Sequence, residues 1–168
     1  MNLHGVCLHG VDIMNIVGND CLKLIGKLKC TLEDIYTGNK EVFYYDNLTV
    51  TAGKTMIAKR LAQTANDCNI TYCAVGTDDT TPAIADITLG TEIDRVLVTT
   101  IQYSSNVISI VSFFGASDAN GILKEIGFFG EAATGFGGTI GTMFNHSAIS
   151  ITKTSAKTLT IEWTITIS

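Results

Sequence analysis

The last segment of the chain constrains the fold more than any other feature, because apolar and polar residues alternate there without interruption. Successive side chains of a β-strand point to opposite faces of the sheet, so this pattern predicts an antiparallel strand with one buried face. Such a strand is stable only when a second layer covers its apolar face. Its inward residues are predicted to be Leu159, Ile161, Trp163, Ile165 and Ile167.

The composition favours strands throughout the chain. The sequence holds 23 Thr, 20 Ile and 10 Val, so 53 of its 168 residues carry a β-branched side chain. Alternation predicts a hairpin from strands near residues 21–34 and 41–48, which turns at Gly38. Further strands are expected at residues 69–76, 94–104 and 106–115. Short strands are expected around residues 125–132 and 139–149, where the chain is rich in glycine between residues 121 and 141.

One amphipathic helix is predicted, over residues 52–65. Met56, Ile57, Arg60 and Leu61 recur there at the spacing of a helix face, and Thr51 is the expected N-cap. About eight strands and one helix predict a mainly β protein, an antiparallel, jelly-roll-like β-sandwich. Residues 1–20 show neither period and are interpreted as an N-terminal arm, which leaves residues 21–168 as a single domain.

Charge and hydropathy argue against two classes of partner, nucleic acid and the membrane, and favour association between copies of the chain. The formal net charge is −5 and only 16% of residues are charged, so a chain-wide basic face for nucleic acid is not expected. No apolar run reaches the roughly 20 residues of a membrane-spanning helix, and we predict no membrane insertion. Residues 96–168 carry few charges to protect strand edges, which favours a homo-oligomer, with a trimer as the expected form.

Cysteine usage points to a reducing compartment. The five cysteines are an odd number and form no CxxC pair, so free thiols are expected rather than a disulfide framework.

Three motifs resemble phosphate-binding or metal-binding sites, but each is better interpreted as part of the fold with no ligand. The AGKT string at residues 52–55 precedes a helix, but a phosphate loop needs glycine where this chain has Leu48. His4, Cys7 and His9 match the spacing of no zinc module. The loop residues Asp78, Asp79 and Asp86 lack EF-hand spacing, so a solvated loop is favoured over a calcium site.

The inventory for catalysis is small. The chain has three histidines and no GxSxG or HExxH motif, so we predict no enzyme, and no catalytic, cofactor-binding or metal-ligating residues. The aromatic residues follow strand patterns and are predicted to be core rather than a platform for sugars; they are Phe113, Phe114, Phe128, Phe129 and Trp163.

Four segments, in order, resemble a family of tailed-bacteriophage virion structural proteins. These are NLTVTAGKTMIAKRL (47–61) with the hairpin before it, AVGTDDTTPAIADITLGTE (74–92), KEIGFFGEA (124–132) and ITKTSAKTLTIEWTITI (151–167). The resemblance covers residues 27–167 and excludes the arm. It implies a tail-fibre, minor tail or decoration-type protein, present in the virion and assembled in the bacterial cytoplasm.

The resemblance leads to the main functional expectation. We expect a non-enzymatic component of the tail, baseplate or fibre apparatus that binds copies of itself and other virion proteins. One alternative is a capsid decoration protein or head fibre anchored by the N-terminal arm. A second alternative is a β-sandwich that binds host surface glycans.

Overall fold

The fold is known from a computed structural model that describes residues 22–63 and 68–168. The arm predicted for residues 1–20, with His4, Cys7 and His9, lies outside the described residues. The described elements comprise nine strands and one helix: β1 (Leu24–Asp34), β2 (Lys40–Asp46), β3 (Leu48–Thr49), α1 (Thr51–Leu61), β4 (Ile70–Gly76), β5 (Glu92–Ser104), β6 (Val107–Phe114), β7 (Gly121–Gly130), β8 (Thr142–Lys153) and β9 (Lys157–Ile167).

The mainly β, antiparallel fold predicted from the sequence is confirmed. All strand pairs are antiparallel, and their order is β2-β1-β9-β6-β5-β4-β7-β8-β3. The first half of β5 pairs with β4, and its second half pairs with β6. β5 therefore belongs to both layers of a sandwich: a first sheet of β2, β1, β9, β6 and β5, and a second sheet of β5, β4, β7, β8 and β3.

The sheet is nearly closed on the side opposite β5. There the hydroxyl of Tyr45, on edge strand β2, donates to the carbonyl of Ser150 at 3.0 Å and accepts from its amide at 3.2 Å. Side-chain contacts thus join β2 to β8 where no backbone ladder does. The described helix is only 11 residues long, and none of the described segments is a helix able to cross a membrane.

The core lies between the two sheets and centres on Trp163 of β9. Its indole stacks on Phe128 of β7 with ring centroids 5.0 Å apart, and it meets Phe144 of β8 edge-on at 5.3 Å. Leu159, Ile161, Trp163 and Ile165 are buried as the alternation predicts. The hairpin of β1 and β2 and the pairing of β5 with β6 also confirm the sequence analysis.

A second, smaller core explains why two adjacent phenylalanines are both buried. A register shift lies between Phe128 and Phe129, and Phe129 packs with Leu89 and Met143 rather than with the central core. The Arg95 guanidinium lies 4.6 Å from the Phe129 ring. Phe113 does not pack in either core: its neighbour Phe114 points inward, and Phe113 is 49% exposed. The prediction that Phe113 is a core residue is therefore wrong.

The helix differs from its prediction at both ends. Val50 is the N-cap and makes no side-chain cap bond, so the assignment of Thr51 as the cap is wrong and Thr51 is the first helical residue. The helix ends at Leu61 rather than at residue 65, because Gln63 adopts a left-handed backbone with φ of 54°.

Candidate functional site

A buried ionic cluster joins the loop of residues 77–91 to the second sheet. His146 of β8 lies between two carboxylates: its Nδ1 is 2.7 Å from Asp86 Oδ2, and its Nε2 is 3.2 Å from Glu125 Oε2. Both His146 and Glu125 are buried, and Asp86 is partly exposed. The cluster therefore ties the middle of the loop to β7 and β8.

Glu125 also binds the two ends of this loop through the backbone. Its carboxylate accepts hydrogen bonds from the amides of Gly90 and Thr91, both at 2.9 Å, and from that of Asp78 at 3.3 Å. Burial acts to raise the pKa of Glu125, but its hydrogen bonds outweigh burial and lower it. Burial likewise acts to lower the pKa of His146, but the two carboxylates raise it. Both shifts favour the charged forms of the partners, so the cluster satisfies its own charges within the fold.

The loop carboxylates do not converge on an ion site. Asp78 accepts from the amide of Thr80, and Asp86 accepts from the amide of Ala83 as well as contacting His146, both amide contacts being 2.7 Å. Across residues 22–63 and 68–168, no three His, Cys, Asp or Glu side chains are grouped to hold a metal. Asp86 is better described as a loop anchor than as a solvated residue.

The AGKT string forms the first turn of α1. The strand before it, β3, has only two residues, and Val50 directly precedes the helix in extended conformation. Gly53 is buried against β8, where an added Cβ would overlap the carbonyl oxygen of Phe144. This close approach accounts for the glycine without a phosphate. No disulfide joins the described cysteines Cys30, Cys68 and Cys73 to one another, which agrees with the thiols predicted from the sequence.

A large apolar opening in the described part of the chain lies where the second sheet does not cover the first. We call it the apolar groove; its volume is about 430 Å³. Its floor is the inner face of the first sheet, and its wall is the α1 face with Met56, Ile57 and Leu61. The floor residues come from four strands and are Leu24, Ile101, Ile108, Ile110, Ile165 and Ile167.

The groove extends to a strand edge that has no partner among the described residues. The second half of β5, residues 98–104, pairs with β6 on one side, whereas β4 accompanies β5 only as far as Leu97. Ile101 and Tyr103 lie opposite Ile110 and Ile108, so they share the inward side of the first sheet. None of the described strands covers them there as a second layer, and they are 51% and 84% exposed.

The groove and the free side of residues 98–104 together form what we call the open face. It offers exposed apolar side chains beside backbone N–H and C=O groups that lack a described strand partner. Among the described residues that line the groove, Arg60 is the only charged one. This combination fits an extended segment of polypeptide, which would pair its backbone with β5 and place alternate side chains on the groove floor.

Sequence reasoning did not identify the open face. Alternation assigns Ile101 and Tyr103 to an inward side, but it does not show that the second sheet ends before it reaches them. The His146 cluster was missed for a related reason, since its three residues are separated by 39 and 21 positions in the chain.

Comparison with known proteins adds no relative. No family model, curated protein or solved structure matches this chain.

Proposed function

We propose that this chain is a non-enzymatic structural component of a tailed-bacteriophage virion that acts by binding other protein chains. Within the particle, we place it in the tail, baseplate or fibre apparatus. The assignment to a virion rests on the resemblance of residues 27–167 to virion proteins. The assignment to protein binding rests on the open face.

The open face is the observation that carries the assembly role. Exposed strand edges beside apolar surface are normally protected by charges, bulges or covering segments, because they pair readily with other chains. Here Ile101 and Tyr103 lie uncovered at such an edge, and no charged side chain follows Arg95 along β5. A surface of this composition is best explained as one that a partner covers.

The chemistry of His146 supports a role without catalysis. It is the one histidine within the described ranges, and both of its ring nitrogens already face carboxylates. Neither nitrogen remains to accept a proton from a nucleophile. Ser147, its neighbour, instead donates to the side-chain oxygen of Asn47 at 3.1 Å.

Gradient-purified particles of the phage that encodes the chain test this proposal. We expect the chain to remain in washed particles at a fixed copy number by quantitative mass spectrometry, and gold-labelled antibody to mark the tail end. The same labelling of particles lacking the gene is the control. Its presence in infected cells but absence from washed particles would contradict the proposal, and label on the shell would overturn the placement in the tail.

A further inference from the structure

The open face sets three requirements for the chain that covers it. The segment must be extended, because the free side of β5 between Val98 and Ser104 offers a backbone ladder of seven residues. It must be apolar on one side, because the groove floor is formed by Leu and Ile side chains. It must also carry few charges, since burial of an unpaired charge on this floor would be costly.

The chain contains a segment that meets these requirements. Residues 11–17 read VDIMNIV, which is seven residues with five apolar side chains and a single charge at Asp12. In an extended segment, Val11, Ile13 and Val17 share one side, and Asn15 is the one polar residue among them. The segment lies outside the described residues, and only residues 18–21 separate it from Leu22 at the rim of the groove.

Strand direction indicates which copy supplies the segment. Leu24 pairs with Ile167 at the end of the first sheet where β5 finishes at Ser104, so β1 starts at that end. A segment of the same chain that lay along β5 and then led into β1 would run parallel to β5. Every strand pair in this fold is antiparallel. A neighbouring copy has no such constraint and can supply an antiparallel strand.

From these observations we propose that residues 11–17 of a neighbouring copy bind the open face as an antiparallel strand beside residues 98–104. Val11, Ile13 and Val17 then lie on the groove floor. This inference rests on the proposed assembly function and names the partner of that surface. Each copy has one open face and one such segment, so the exchange repeats from copy to copy and can close into a ring.

Two complementary variants of the full chain test the exchange. Ile101→Asp damages the open face, and the double variant Ile13→Asp with Val17→Asp damages the segment. The control is Ile122→Asp, which changes an exposed isoleucine near the start of β7 that does not line the groove. Circular dichroism melts first establish that each variant is folded, and sedimentation velocity then reports the mass of each sample.

We expect wild type and the control to sediment as multiples of the 17.9 kDa chain, and each damaged variant to sediment as a single chain. Mixed in equal amounts, the two damaged variants should form a dimer with one copy of each, because one intact face meets one intact segment. Undiminished mass in the segment variant would overturn the inference while leaving the assembly function in place. A wild type that stays a single chain at every concentration would likewise overturn the inference, whereas absence of the chain from washed particles would overturn the assembly function itself.

Discussion

Trp163 carries the largest share of the core that can be assigned to one residue. It is fully buried and contacts Phe128 and Phe144 of the opposite sheet. Trp163→Ala should therefore lower the free energy of unfolding by about 3–5 kcal/mol, through lost burial and an unfilled cavity. Thr164→Ala, on the outer side of the same strand, should cost less than about 0.5 kcal/mol. Urea melts of both variants provide the comparison.

A third variant separates packing from hydrogen bonding at this position. The indole Nε1 of Trp163 is buried without a hydrogen-bond partner in the described structure. Trp163→Phe keeps most of the apolar volume and removes that donor, so it should lose far less stability than Trp163→Ala. If all three variants melted like wild type, Trp163 would not be a core residue in solution.

Adjacent residues show where sequence reasoning succeeds at this scale and where it stops. Alternation correctly predicts the buried side of β9, because that strand is paired on both sides and has one covered face. The same rule cannot decide Phe113, since a strand turns two neighbouring aromatics to opposite faces and only one face is covered. Phe128 and Phe129 escape the rule through a register shift, which depends on the partner strand β8 and not on local sequence.

At the scale of elements, the loop of residues 77–91 is held by charge. His146 has a raised pKa, so the stability it contributes is fully present below its ordinary value of 6.5 and is lost as pH rises through the folded value. Glu125 and Asp86 have lowered pKa values, so their contribution is present above their ordinary values and is lost as pH falls through the folded ones. The loop should be held best between these two limits.

His146→Leu tests this anchor. Removing the imidazole takes away one of the two hydrogen-bond partners of the buried Glu125 Oε2, which keeps only the Gly90 amide, and we expect a loss of about 1–3 kcal/mol near pH 6. Thermal melts between pH 6 and 9 should show wild type losing stability as pH rises, while the variant changes much less over that range. Equal slopes for the two proteins would show that His146 does not hold the loop by its charge.

Arg95 shows a second loop held by a residue that the sequence did not single out. Its guanidinium forms a bidentate pair with Glu92 at 2.6 and 2.7 Å, and it donates to the carbonyls of Thr134 and Ile140 at 3.3 and 3.0 Å. This arginine orders the Gly-rich connection between β7 and β8, which the sequence analysis described only as short strands. The pattern of glycines gives no sign of such a distant partner.

For the whole molecule, the fold class follows from the sequence and the site does not. Alternating strands, turn residues and one amphipathic helix predict an antiparallel β protein, because those signals are local. The open face arises because β5 passes from one sheet to the other and continues beyond Leu97, the last of its residues that pairs with β4. That offset depends on the registers of three strands at once. Only the three-dimensional arrangement shows which inward side chains are left uncovered.

Backbone hydrogen exchange over residues 98–104 tests the central claim, that a partner chain covers the open face. Mass spectrometry would compare wild type with Ile101→Asp, and Ile122→Asp would serve as the control. We predict that these amides exchange more slowly in wild type and in the control than in Ile101→Asp, because a bound strand protects amides that point away from β6. Equal exchange in all three proteins, at concentrations up to those reached in the assembled particle, would contradict the account.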